Sequence, residues 1–278
     1  MKYLLTLTSF IVATAISFAQ PKDHPHYEKH YASSVEVIET DEVKIEIIRP
    51  HSQESHTQFN AKIYNKTDDY ILIKRNETVF KSNESGYGEK RPAEATMFIE
   101  PKGDISRQFK VEGGPGYKVD KIEVTLGGFS RAPVNGEPAG AGEFKMKPEK
   151  NSVMMGPFAV TLKRWKYNSK EITADFKIRY RGEGIGLVNE SKINIRKEND
   201  SIVANTEAKS TPFILTPMKT RTATVVKRFG KGEIGKSESV YVVMSDALTE
   251  STGTEFKVPG FSLSYDEGKT KKNNKWAG

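Results

Sequence analysis

Residues 59 to 65 read FNAKIYN, and residues 176 to 182 read FKIRYRG. Phe59, Ala61 and Ile63 recur at every second position, as do Phe176, Ile178 and Tyr180. A period of two puts alternate side chains on one face of an extended chain, so each stretch predicts a β-strand with one buried face. Working outward, Val43, Ile45 and Ile47 in VKIEII fall on Phe158, Val160 and Leu162 in FAVTLKRW. ATMFIEPKGDISRQFKV falls on TPFILTPMKTRTATVVKRF, and DKIEVTLGGF on SESVYVVMSDAL. The pattern is a duplication with an offset of about 115 to 118 residues.

Every matched piece is strand-like, and no helical apolar periodicity runs beyond a turn or two. Short strands at intervals of about ten residues, punctuated by Gly, Pro, Asn and Asp, predict an all-β fold of two tandem immunoglobulin-like antiparallel β-sandwich domains. The expected divisions are a signal peptide at 1–19, a flexible His-rich segment at 20–34 and a first sandwich at 35–132. A Gly/Pro-containing linker at 133–157, a second sandwich at 158–262 and a basic disordered tail at 263–278 complete the expected order.

The leader assignment rests on MKYLLTLTSFIVATAISFAQP, with one lysine, an apolar run from Tyr3 to Ile16 and the small-residue pattern Ser17-Phe18-Ala19 before Gln20. The apolar run is shorter than the roughly 20 residues that span a bilayer, and no later stretch approaches that length, so no transmembrane segment is expected in the mature chain. The ending Ser-Phe-Ala-Gln resembles signal peptides of exported Bacteroidota proteins, which implies a periplasmic or surface-associated product. About 258 residues remain after the leader, enough for two domains of about 100 to 120 residues each.

The chain has no cysteine, which excludes disulfides, thiolate metal sites and cysteine nucleophiles. The formal net charge is +7, pointing to an anionic envelope surface or an acidic envelope protein as partner. An exported location disfavours nucleic acid.

His24, His26 and His30 crowd into HPHYEKHY (24–31), and His51 and His56 are the remaining histidines. A metal site needs several ligands held at fixed distance. Pro25 disfavours a helix through His24, so the three read as a solvated terminal segment, with weak copper, nickel or zinc binding as an alternative. No cofactor is expected. RGEGIGLVNES (181–191) and VEGGPGYKV (111–119) are glycine-rich, but neither lies between a strand and a helix, so both predict turns. No histidine follows His56 and no GxSxG elbow is present, so the sequence predicts no catalytic residues and no enzyme.

Aromatics offer binding chemistry instead. Trp165 and Tyr167 alternate with Arg164 and Lys166, and Tyr117 ends the GGPGY turn, which makes these rings candidates for stacking on sugars. Trp276, with Lys271 and Lys272, is a candidate anchor in the tail. Ser201 in NDSI resembles the acceptor of Bacteroidota O-glycosylation. The expectation is a non-enzymatic exported binding or assembly protein of the bacterial envelope, an adaptor or accessory subunit of a membrane-associated complex. A carbohydrate-binding module and a metal-binding protein are the alternatives.

Overall fold

The computed structural model describes residues 27–82, 85–88, 96–112, 118–140, 142–146, 151–205, 212–230 and 239–274, with Ala208 and Glu233. The expected signal peptide, His24, His26, Tyr117 and Trp276 lie outside the described residues. The fold is all-β with one short helix among those residues, and its sheets are antiparallel. No helix among them is long and apolar enough to cross a membrane.

The alternation reads directly as burial. In β4 (His56–Asn65) Phe59, Ala61 and Ile63 are buried, and in β16 (Glu171–Tyr180) every second residue from Ile172 to Tyr180 is. In β3 (Val43–Ser52) Val43 pairs with Asn65, and in β15 (Phe158–Asn168) Phe158 pairs with Tyr180, each residue 115 positions beyond its counterpart. Register therefore matches Ile63 to Ile178 and Ala61 to Phe176, two residues away from the alignment of FNAKIYN on FKIRYRG. A two-residue slip leaves a period-two pattern unchanged, so alternation alone cannot distinguish the two alignments. Both pairs of strands also carry a bulge, between Ile48 and His51 and between Leu162 and Arg164.

One sheet runs β7 (Ser85–Gly88), β6 (Val79–Ser82), β10 (Lys121–Thr125), β25 (Phe261–Tyr265), β1 (Lys29–Ser33), β3, β4, β9 (Asp104–Glu112), with β2 (Val37–Glu39) beside β3. A second runs β24 (Thr254–Glu255), β11 (Phe129–Ala132), β5 (Tyr70–Lys74), β8 (Thr96–Ile99). Between these two sheets lies one core, including Ile45, Phe59, Ile71, Ile73 and Phe109. The later half builds sheets β14 (Ser152–Met155), β15, β16, β21 (Thr220–Arg228) and β12 (Glu137–Pro138), β23 (Leu248–Ser251), β17 (Ile185–Val188), β20 (Phe213–Leu215). A third sheet there orders β13 (Glu143–Lys145), β22 (Val240–Val243), β18 (Asn194–Lys197), β19 (Ile202–Val203) around a second core.

β5 and β17 join the two cores. Ile71 and Ile73 point into the first core while Leu72, on the opposite face, packs with Ala132, Ile185 and Leu187; Val188 points into the second core. Strands covered on both faces read as continuous apolar runs, as YILIK and IGLV do.

Both chain ends and the connecting segment depart from expectation. β1, placed in the flexible front, lies between β3 and β25, and β25, placed across the start of the disordered tail, lies between β10 and β1. Phe261 meets the Phe59 ring edge-on at 5.5 Å, and Leu263 is fully buried in the first core. Burying such side chains gains about 1.5–3 kcal/mol each, which a local reading of a basic, polar tail does not register. Helix α1 (Glu267–Asn273) follows, its first turn capped by the Asp266 carboxylate, which accepts from Lys269 N at 2.9 Å. In the segment expected as a linker, Phe144, Met146 and Met155 belong to the second core.

Candidate functional site

The site grows from an interruption in β3. β4 occupies one edge of that strand, and β1 and β2 share the other: Lys29 and His30 pair with Ser52 and His51, whereas Val37 to Glu39 pair with Glu46 to Lys44. Between the two partners the register shifts, and Arg49 takes a left-handed backbone with φ 50°. Lys102, Asp200 and Met218 share that conformation, but each lies between strands; Arg49 alone among them lies inside one. Pro50 follows, a residue that suits a bulge because it has no N–H to leave unpaired. The gap opens as a cleft of about 530 Å³ whose charged lining comprises His30, Glu36, Glu46, Arg49 and Lys269.

Glu28 organises the histidines at its rim. Its carboxylate lies 3.2 Å from His30 Nε2 and 3.9 Å from His51 Nε2, and it accepts from Gln53 Nε2 at 3.0 Å. The two imidazoles stack at 5.6 Å with 28° between planes. A proton on Nδ1 of His51 lets that ring donate to Arg49 O at 3.0 Å and accept from Gln58 Nε2 at 2.8 Å. Burial pushes the His30 imidazole below its ordinary value, with Glu28 opposing and His51 reinforcing the shift. His56 is lowered too, by burial first and then by Lys110 and His51. Among the described residues no group of three or more His, Asp or Glu side chains is arranged to hold a metal ion.

Helix α1 locks the same strand. Thr270 Oγ1 accepts from His30 N at 2.9 Å, and Asp266 N donates to His30 O at 2.9 Å. One turn on, Asn274 accepts from Glu28 N at 3.1 Å and donates to Glu28 O at 2.8 Å, replacing both bonds of a strand partner. Lys271 and Lys272 are exposed on this helix, Lys271 paired with Glu267 at 2.6 Å.

The other candidate residues are dispersed. Trp165 lies past the bulge of β15, opposite the buried Ala174, and is 43% exposed. Tyr167, opposite Ile172, packs half-buried against the second core. Ser201, between β18 and β19, donates to Asn199 Oδ1 at 2.7 Å. Gly186 lies in β17 against Tyr180 and Phe158, so the glycine run 182–186 runs from a turn into a core strand.

Register gathers a basic face that the linear reading does not show. On the outer side of the sheet β14-β15-β16-β21 stand Arg164, Lys166, Lys177, Arg179 and Arg228, against the acids Glu171 and Asp175. Arg164 pairs with Asp175 at 2.8 Å, while Lys166 and Arg228 approach Glu171 at 3.6 and 4.0 Å. Lys177 stands between Thr161 and Thr222 and Arg179 between Ala159 and Thr220, rows without a carboxylate. The runs LKRWKYNSK and KIRYRG carry these cations in the sequence, but only pairing aligns them.

No protein-family model matches the chain, and no curated protein is significantly similar to it.

Proposed function

We propose that the chain is an exported, non-enzymatic binding or assembly protein of the bacterial envelope. In this reading it is built as two tandem immunoglobulin-like sandwiches and acts as an adaptor or accessory subunit. The observation that supports it is the outer face of β15, β16 and β21, where the Lys177 and Arg179 rows carry positive charge with no acid opposite. A rigid sheet with uncompensated cations attracts an acidic protein or an anionic envelope surface, and the attraction is screened by salt.

The test is capture of partners from gently solubilised envelopes with the wild-type chain and with Lys177→Glu and Lys166→Glu/Lys177→Glu variants. The reading expects a defined set of partners, released at moderate salt and lost from the double variant while its melting temperature is unchanged. Recovery of the same proteins by the double variant would sink it.

A second reading, carbohydrate binding, draws on the exposed Trp165 ring flanked by Arg164 and Lys166. Glycan-array signal that survives Trp165→Ala would remove it.

A further inference from the structure

The cleft beside β3 holds two charges that do not meet. Arg49 and Glu36 both line it, and neither makes an ion pair or a side-chain hydrogen bond among the described residues. The other carboxylate and ammonium there are matched, Glu46 by Lys44 at 2.8 Å and by the Tyr64 hydroxyl and Lys269 by Asp266 at 3.4 Å, and the His30 ring lies 3.2 Å from Glu28. Val37 and Ile47 supply apolar wall to the same cleft. An unmatched cation and an unmatched anion facing one cavity complement a ligand that carries both charges at a distance. A guanidinium takes a carboxylate through two parallel hydrogen bonds, and a carboxylate takes an ammonium.

Two further features point the same way. The cleft, at about 530 Å³, falls within the size range of small-molecule sites of about 300–1,000 Å³. Arg49 is held in a left-handed conformation inside a strand, and unfavourable backbone of this kind clusters at ligand-binding positions. His51, by donating to Arg49 O, ties down that stretch of backbone, and the buried Pro50 follows it.

We infer that this cleft binds a small zwitterion, a peptide of two or three residues with both termini free, its carboxylate on Arg49 and its ammonium on Glu36. The site is separate from the basic face of the later half and stands or falls independently of the adaptor reading.

Calorimetric titration of the full chain with trialanine and alanyl-leucyl-alanine tests it, each peptide used free, N-acetylated and C-amidated. Free peptides bind, and blocking either end weakens binding by about tenfold or more. Glu36→Gln reduces free peptide to the affinity of its N-acetylated form and leaves the latter unchanged. Arg49→Asn, which tolerates the left-handed backbone, reduces free peptide to the affinity of its C-amide. Melting temperatures of both variants serve as the folding control. Absence of heat with every peptide, or equal affinity for free and blocked forms, overturns the inference. N-acetylated peptide binding as tightly as free peptide also overturns it, because the site then reads a carboxylate alone.

Discussion

Arg75 and Glu190 stand 115 residues apart, and each closes an outward backbone group of a sheet's edge strand. Each lies in a single turn of 3-10 helix, following β5 and β17 respectively. Arg75 donates to the carbonyl of Gln108 in β9 at 2.6 Å; Glu190 accepts from the N–H of Thr224 in β21 at 3.2 Å. Opposite charges do the same job because an edge strand presents both carbonyls and N–H groups outward, and Arg75 meets one of the former while Glu190 meets one of the latter. Unpaired edges invite association with other strands, and side chains laid across them reduce that hazard.

Arg75 is 4% exposed and its guanidinium also lies 5.4 Å from the Phe109 ring, whereas the Glu190 bond is exposed. Arg75→Met is expected to cost about 2–3 kcal/mol, since it leaves a covered carbonyl without a donor. Glu190→Gln keeps an acceptor oxygen and changes stability by less than about 0.5 kcal/mol. Urea unfolding of the two variants checks the ranking, and equal losses would contradict the account.

Stability falls with acid before the carboxylates titrate. Burial lowers the folded-state values of His30 and His56, so well above the unfolded-state value of about 6.5 both rings are neutral folded or unfolded and add no pH dependence. Below that the unfolded chain takes up protons first, and folding free energy is lost until the folded rings also titrate. Glu39, Glu46 and Asp266 are lowered by hydrogen bonds and neighbouring lysines, and their contributions fade only at more acid pH. Denaturation midpoints should therefore drop between about pH 7 and pH 5. A His30→Gln/His56→Gln variant should flatten that slope, and an unchanged slope would count against the histidines.

The end of the chain is structural, which orders its truncations. Removing 266–278 takes away the Thr270 and Asn274 contacts with His30 and Glu28 and should cost about 2–4 kcal/mol, at about 1 kcal/mol for each lost hydrogen bond. Removing 261–278 also withdraws β25 from between β10 and β1, and circular dichroism should then show loss of cooperative folding. Thr270→Val is the milder control, expected to cost about 1 kcal/mol.

A methyl group on Gly186 would lie 2.7 Å from Tyr180 and 2.8 Å from Phe158. Both neighbours are fully buried rings that cannot retreat into solvent. Gly186→Ala should lower stability by about 1–3 kcal/mol through overpacking. A melting temperature equal to wild type would show that the two rings can move.

Arg49 offers a test of its backbone independent of any ligand. Arg49→Val places a β-branched side chain at φ 50° and should cost about 1–2 kcal/mol, while Arg49→Gly should stay within about 1 kcal/mol of wild type. Equal stability of the two would mean that the conformation relaxes.

Much of this fold was legible in FNAKIYN and FKIRYRG, whose alternation places Phe59, Ala61, Phe176 and Ile178 in the cores where burial finds them. The candidate site was legible only as residue types. His30 and His51 were visible as histidines, but their stacking beside Glu28 depends on β1 reaching the far end of β3, where His30 pairs with a residue 21 positions on. Arg49 carried no signal, because its significance is a backbone angle set by the bulge and by neighbours on both sides. Trp165 was legible as a ring beside Arg164 and Lys166; strict alternation from the buried Leu162 turns it outward, and the bulge between Leu162 and Arg164 instead puts it opposite the buried Ala174, where it is 43% exposed.

Local chemistry specified the alternating strands, since alternating polarity is written residue by residue and survives without knowledge of partners. Which strands lie side by side was decided by tertiary structure. Ladder hydrogen bonds join backbone groups that are nearly identical at every position, so the choice of neighbour rests on which apolar faces can be buried together. That is why β25, with only Phe261 and Leu263 to offer, returns across the whole chain to complete the first core and, through α1, to close the cleft beside β3.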